Sequence, residues 1–99
     1  MTRPTRLSLD DVHARVASIA GYEVVEGPVL AIRRTYEHAT FARGIEFVAA
    51  LAKVADEMDH HPDIDIRYRR VTVTLSTHDA GGITELDLAQ AARANALAG

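Results

Sequence analysis

Residues 56 to 64 read DEMDHHPDI, so two histidines, His60 and His61, stand side by side directly before Pro62. Imidazoles change charge near neutral pH, which suits them to give and take protons within one reaction. On an unbroken helix, neighbouring side chains point about 100° apart and could not serve one pocket. A residue before proline is pushed out of the α region. The backbone is therefore expected to turn between a His60 in the last turn of a helix and an extended His61, and that turn could aim both rings at one pocket. Asp56 lies four residues before His60 on the same helical face, where its carboxylate could hold one ring nitrogen. The helix C-terminus would favour the imidazolium as well. A polar helix end, with Pro62 as a stop signal, fits the same residues equally well.

A third histidine, His78, stands where the strand-like run VTVTLST ends and a loop containing Gly81-Gly82 begins. Functional side chains are often carried at such a junction of rigid scaffold and loop, although a solvent-facing histidine at a strand end reads the same way. Asp87 fits the N3 position of a capping box opened by Thr84, and a carboxylate has lone pairs enough to cap a helix and hold a histidine together. Three histidines and a carboxylate also match the inventory of a metal site. Against that, no His-x-x-x-His spacing occurs, and adjacent histidines rarely chelate one ion. No metal is expected.

These residues need elements to position them. With 99 residues the chain reads as one domain with room for a single modest core, residues 1 to 6 forming a short tail. Ser8 and Asp11 form a capping box, and Leu9, Val12, Val16 and Ile19 recur at helical spacing until Gly21. Tyr22 to Glu26 and Val29 to Tyr36 flank Gly27-Pro28 as a hairpin. Thr40 caps a longer helix whose apolar stripe is Phe41, Ile45, Val48, Ala52, Ala55 and Met58, and Pro62 ends it. Ile64, Ile66 and Tyr68, then Val71, Val73 and Leu75, alternate with polar residues as two strands with one apolar face each. Thr84 and Asp87 open a last helix that runs to about Leu97. The order α-β-β-α-β-β-α predicts an α+β fold, a four-stranded antiparallel sheet with helices packed on one face. Short polar side chains would line the other face, and unpaired sheet edges favour edge-to-edge dimerisation.

Charge and composition narrow the function. Eleven basic against fourteen acidic residues leave a net charge of −3, so contact with DNA or a membrane would need a local basic patch. The dense one, Arg67, Arg69 and Arg70, reads as a solvated strand end, and direct nucleic-acid binding is not expected. Without cysteine there is no disulfide scaffold, no thiol catalysis and no cysteine-ligated zinc. The N-terminal MTRPTRLSL lacks the apolar run of a signal peptide, and no stretch is long enough to span a bilayer. A cytoplasmic protein without a membrane partner is expected.

Asp56-x-x-x-His60-His61-Pro62, then five residues to Tyr68, nine to His78 and eight to Asp87, resembles the signature of the pterin-4a-carbinolamine dehydratases. The stretches FARGIEFVAALAKVADEMDHHPDI and VTLSTHDAGG resemble the same family, so the likeness covers nearly the whole chain from about Leu7. A signature with this many parts is highly specific. Two positions depart from it. Gly21-Tyr22 stands where the family often has Gly-Trp, and His38 where it often has an aromatic residue.

The resemblance implies dehydration of 4a-hydroxytetrahydropterin (the 4a-carbinolamine) to quinonoid dihydropterin and water, which recycles the product of aromatic amino acid hydroxylases. Pterin is then the substrate, and no cofactor is needed. By the same resemblance His60 and His78 are the acid and base, in an order left open. His61 binds and orients the pterin with some share in proton transfer. Asp59, Ser76, Thr77 and Asp79 hold the pterin edges beside the three histidines. Asp87 completes the catalytic set by steadying a histidine, and Asp56 supports from behind. A homodimer joined through the sheet, or a homotetramer paired through the long helix, is implied too. The alternative is a non-catalytic pterin-binding or scaffold module of the same fold, because animal members also act as dimerisation cofactors for a homeodomain transcription factor.

Overall fold

The computed structural model describes residues 4–98, so residues 1–3 of the expected tail lie outside the described residues. The elements follow the expected order: α1 (Leu9–Val16), β1 (Glu23–Val25), β2 (Ala31–Glu37), α2 (Phe41–Met58), β3 (Asp63–Arg67), β4 (Arg70–Leu75) and α3 (Glu85–Ala98), with a 3₁₀ turn, His78–Ala80, between β4 and α3. The strands form one antiparallel sheet in the order β1-β2-β4-β3.

Strand alternation decides which face is covered. Ile32 and Tyr36 on β2 and Val71, Val73 and Leu75 on β4 are buried, and they join Val12 and Val16 of α1, Phe47 and Leu51 of α2 and Leu88, Ala91 and Ala94 of α3 in one core. On the uncovered face lie Arg33, Thr35, Thr72 and Thr74, with the Thr35 and Thr72 hydroxyls 2.8 Å apart. The expected arrangement, helices on one face of the sheet and polar side chains on the other, is what the molecule adopts. Among the described residues no helix is long and apolar enough to cross a membrane.

Local caps behave as the sequence requires. The Ser8 hydroxyl accepts from the Asp11 N–H at 3.1 Å, and the Thr40 hydroxyl from the Arg43 N–H at 3.1 Å. One cluster ties the chain ends to the sheet. Tyr36 donates its hydroxyl proton to Asn95 Oδ1 at 2.6 Å, which leaves Tyr22 to donate to Tyr36 Oη at 3.0 Å. Burial pushes both phenols above the usual tyrosine range, Tyr22 strongly, with the shared hydrogen bond adding to its shift. Tyr22 thus fills its position with a buried ring and a paired hydroxyl.

Three expectations are corrected. The buried face of α2 is Gly44, Phe47, Leu51, Val54 and Ala55, whereas Phe41 and Ile45 of the expected stripe are 50% and 39% exposed and Ala52 is exposed as well. The helix is apolar on several sides, so more than one stripe satisfies steps of three and four. Gly44 lies on the face turned to the sheet, where a Cβ would meet Val71 and His38 at 3.5 Å, an ordinary van der Waals contact. His38 packs at this point, its ring centroid 5.1 Å from that of Phe47. Next, α2 stops at Met58, ahead of Pro62, because Asp59 adopts the left-handed conformation (φ 49°, ψ 44°). Finally, Tyr68 is not a strand residue of the apolar face. It occupies the β3–β4 hairpin turn at φ 52° and is 71% exposed.

Candidate active site

The left-handed turn at Asp59 is what places His60. Asp59 donates its backbone N–H to the Asp56 carbonyl at 3.3 Å, and His60 donates its own to the Ala55 carbonyl at 3.0 Å. These two bonds are the Schellman closure of a helix C-terminus, and aspartate is among the few side chains that tolerate the conformation it requires. His60 therefore lies just beyond the helix rather than in its last turn, and the chain swings it towards α3.

There it meets Asp87, with Nε2 2.6 Å from Oδ1. The histidine is 7% exposed and the aspartate fully buried. Asp87 Oδ2 accepts from the Thr77 hydroxyl at 2.7 Å and from the Thr84 backbone N–H at 2.9 Å. Thr77 has one hydroxyl proton and gives it to Asp87, so the 2.8 Å contact between the two threonine hydroxyls must be donated by Thr84. Thr84 Oγ1 accepts in turn from the Leu86 N–H at 3.3 Å. Three donors, the His60 ring N–H, the Thr77 hydroxyl and the Thr84 N–H, converge on the Asp87 carboxylate, whose lone pairs accept them all. With Nε2–H given to Asp87, the ring nitrogen left for a ligand is Nδ1.

The same carboxylate fixes His78 at one remove. Thr77 precedes it, and the Thr77 backbone exchanges two hydrogen bonds with Gly82, at 2.8 and 3.3 Å, which closes residues 77–82 into a tight loop. Gly81 sits in this loop at φ 76°, a value that favours glycine. The side chain of Arg6 lies against Gly82, whose missing Cβ would come within 3.0 Å of it. His78 and Asp79 are exposed on the 3₁₀ turn.

The other expected residues are placed as follows. Asp56 does not hold His60. Its carboxylate is 3.1 Å from Nε2 of His61, in a pair whose side chains are 59% (His61) and 81% (Asp56) exposed. The reason is the turn at Asp59, which carries His60 off the helical face on which an i,i+4 partner would meet it. Ser76 donates its hydroxyl to the Leu30 carbonyl at 2.9 Å, and Thr77 is buried with its hydroxyl on Asp87. Asp59 is exposed at the turn itself. Among the described residues, no group of three or more His, Asp or Glu side chains is placed to hold a metal ion.

Two participants were not legible beforehand. Thr84 carried a capping signal only. Gln90, fully buried, donates Nε2–H to the His60 carbonyl at 2.7 Å, and nothing in its surroundings along the chain distinguished it from a helix-favouring residue.

The model of the family described as Pterin 4 alpha carbinolamine dehydratase matches residues 5–97. A Mycolicibacterium smegmatis relative is 48% identical over 89 residues, covering 90% of this chain and 92% of its own. One from Herpetosiphon aurantiacus is 56% identical over 68 residues, covering 69% and 68%. Both carry the name pterin-4-alpha-carbinolamine dehydratase only provisionally. Among solved structures, a protein described as a transcriptional coactivator/pterin dehydratase from Brucella melitensis superposes with a TM-score of 0.90 at 37% identity, covering 96% of this chain and all of that one. A pterin dehydratase-like protein described as a RuBisCO assembly factor in the alpha-carboxysome gives 0.68 at 29% identity, covering 80% of this chain and 90% of its own. By sequence along nearly its whole length and by fold, the chain belongs to the pterin 4 alpha carbinolamine dehydratase family.

Proposed function

We propose that this protein is itself a dehydratase, converting 4a-hydroxytetrahydropterin to quinonoid dihydropterin and water. The observation that carries the reading is the buried Asp87–His60 pair, which orients one imidazole through Nε2 and leaves Nδ1 for the substrate. The reaction needs a proton delivered to the 4a-oxygen, which leaves as water when the C4a–O bond breaks. It also needs a proton taken from a ring N–H, whose electron pair forms the new C=N bond. Protons in and out balance, and no oxidant or reductant is consumed. Oriented imidazoles do both tasks, each typically contributing ~10²–10⁴-fold. His60 and His78 take the acid and base roles. His61, on the exposed side of the turn, binds and orients the pterin, and Asp59 and Asp79 stand beside these histidines to meet its polar edges. Asp87 holds His60, and Asp56 holds His61.

The second reading is a non-catalytic interaction module. The names of the two structural neighbours favour it, one a coactivator as well as a dehydratase and the other an assembly factor. Stopped-flow absorbance on chemically generated 4a-hydroxytetrahydropterin separates the two. The enzyme reading requires acceleration over the uncatalysed dehydration that is lost in His60→Ala. A folded wild-type protein that gives no acceleration leaves the interaction reading.

A further inference from the structure

Gln90 lies one turn beyond Asp87 on α3, so positions 87 and 90 face the same way. Between them they hold His60 at two points: Asp87 takes the ring at Nε2, and Gln90 takes the backbone carbonyl at 2.7 Å. The His60 N–H is held separately by Ala55. Only one half of the Gln90 amide is satisfied. Its Nε2 also lies 3.6 Å from Met58 Sδ, a weak acceptor, while Oε1 is buried without a hydrogen-bond partner. The opposite amide orientation would set Oε1 against the His60 carbonyl oxygen, two acceptors face to face, so the orphaned oxygen follows from the donation itself.

A buried Oε1 without a partner costs free energy that an apolar residue of similar size would avoid. The same apolar residue would strand the His60 carbonyl, so the two penalties oppose one another and stability alone does not call for glutamine. What glutamine adds is the donor on His60. We infer that Gln90 is a positioning residue for His60, fixing the backbone of the left-handed turn so that the imbalance in its own amide is the counterpart of a correctly aimed imidazole. The catalytic part of this inference rests on the dehydratase reading above.

The test uses the full chain and two variants, Gln90→Met, which keeps length and volume, and Gln90→Leu. Three quantities are read: the melting temperature, the dehydration kinetics, and the His60 imidazole resonances in a ¹H–¹³C spectrum. The expected result is a cooperative melt at a temperature close to that of wild type, with kcat reduced at least threefold while KM stays within twofold. The His60 ring resonances should move, and those of His61 should not. Wild-type kcat with unmoved His60 resonances in a folded variant overturns the inference. So does cooperative unfolding at clearly lower temperature in both variants, which would assign Gln90 to the fold. Should wild type itself lack dehydratase activity, the function proposed above fails, and the spectroscopic arm alone decides whether Gln90 positions His60.

Discussion

Two carboxylate–imidazole pairs hang from neighbouring residues, and they differ in nearly every physical respect. His60–Asp87 closes at 2.6 Å with side chains 7% and 0% exposed, whereas His61–Asp56 closes at 3.1 Å with side chains 59% and 81% exposed. The first pair spans 27 positions and joins two helices; the second is local, across the end of one. A buried charge is tolerable only when its partners are all present, and Asp87 has three donors on it. An exposed pair competes with water, is screened by salt, and is typically worth ~0.2–1 kcal/mol. His60, the inner histidine, is therefore held by a buried network, whereas His61, the outer one, is held by one exposed contact that water can replace.

The sharpest way to break this contrast is Asp87→Ala. It strands the Thr84 N–H and the His60 ring and leaves the Thr77 hydroxyl only Thr84 as a partner, and losing one partner of a buried pair typically destabilises by ~3–5 kcal/mol. A domain with about 5–15 kcal/mol in total would be left marginal. Urea denaturation should show the loss, and the milder Asp87→Asn, which keeps the volume, should fold and still fall at least about tenfold in dehydration rate. Near-wild-type midpoint and rate in both variants would mean the inner pair is dispensable.

His60→Ala and His61→Ala should each lower the rate by about tenfold or more, yet differ in stability. His60→Ala leaves Asp87 short of a donor and should lower the urea midpoint by the equivalent of ~1–3 kcal/mol. His61→Ala should leave the midpoint within about 0.5 kcal/mol of wild type, as surface changes usually do. Equal midpoints for the two variants would erase the distinction between inner and outer histidine.

The tyrosine cluster extends the contrast to pH. Burial keeps the Tyr22 and Tyr36 phenols neutral in the fold above the range where free tyrosine ionises, about pH 10. The unfolded chain therefore releases protons that the folded chain retains. Stability from this source is complete below about pH 10 and declines as pH rises beyond it. Melting followed by circular dichroism should show a lower midpoint at about pH 11 than at pH 8, with a shallower drop in Tyr22→Phe. An unchanged slope in that variant would exclude the cluster as its origin.

The smallest effect is expected at Asp56→Ala, within about 0.5 kcal/mol of wild type in stability. Raising salt should narrow any such difference, since an exposed pair is screened. A urea midpoint for Asp56→Ala lower than wild type by more than about 1 kcal/mol at high salt would show that the outer pair is more enclosed than its exposure indicates.

What the sequence disclosed follows the range of the interactions. Ser8, Thr40 and the Thr84–Asp87 box act within a few residues, and the alternation Val71, Val73, Leu75 is a property of one strand, so caps, strands and fold class could be read directly. The face of α2 could not, because the helix is apolar on several sides and tertiary packing chooses among them. Spacing suggested Asp56 for His60, but one left-handed residue, Asp59, redirects the chain and exchanges the partners. Gln90 escaped notice because its significance lies in a carbonyl 30 positions away. The histidines themselves stood out through chemistry and resemblance, and their geometry needed the fold.

Asp87 Oδ2 accepts the Thr84 N–H at the start of α3 while Oδ1 holds His60, so the carboxylate that caps that helix is also the one that seats the imidazole. The amide proton of Thr84 becomes a reporter of the centre, because its exchange with deuterium is slow only while the carboxylate is seated. Opening rates measured at that one backbone position should track the disarming of His60, without substrate, chromophore or label.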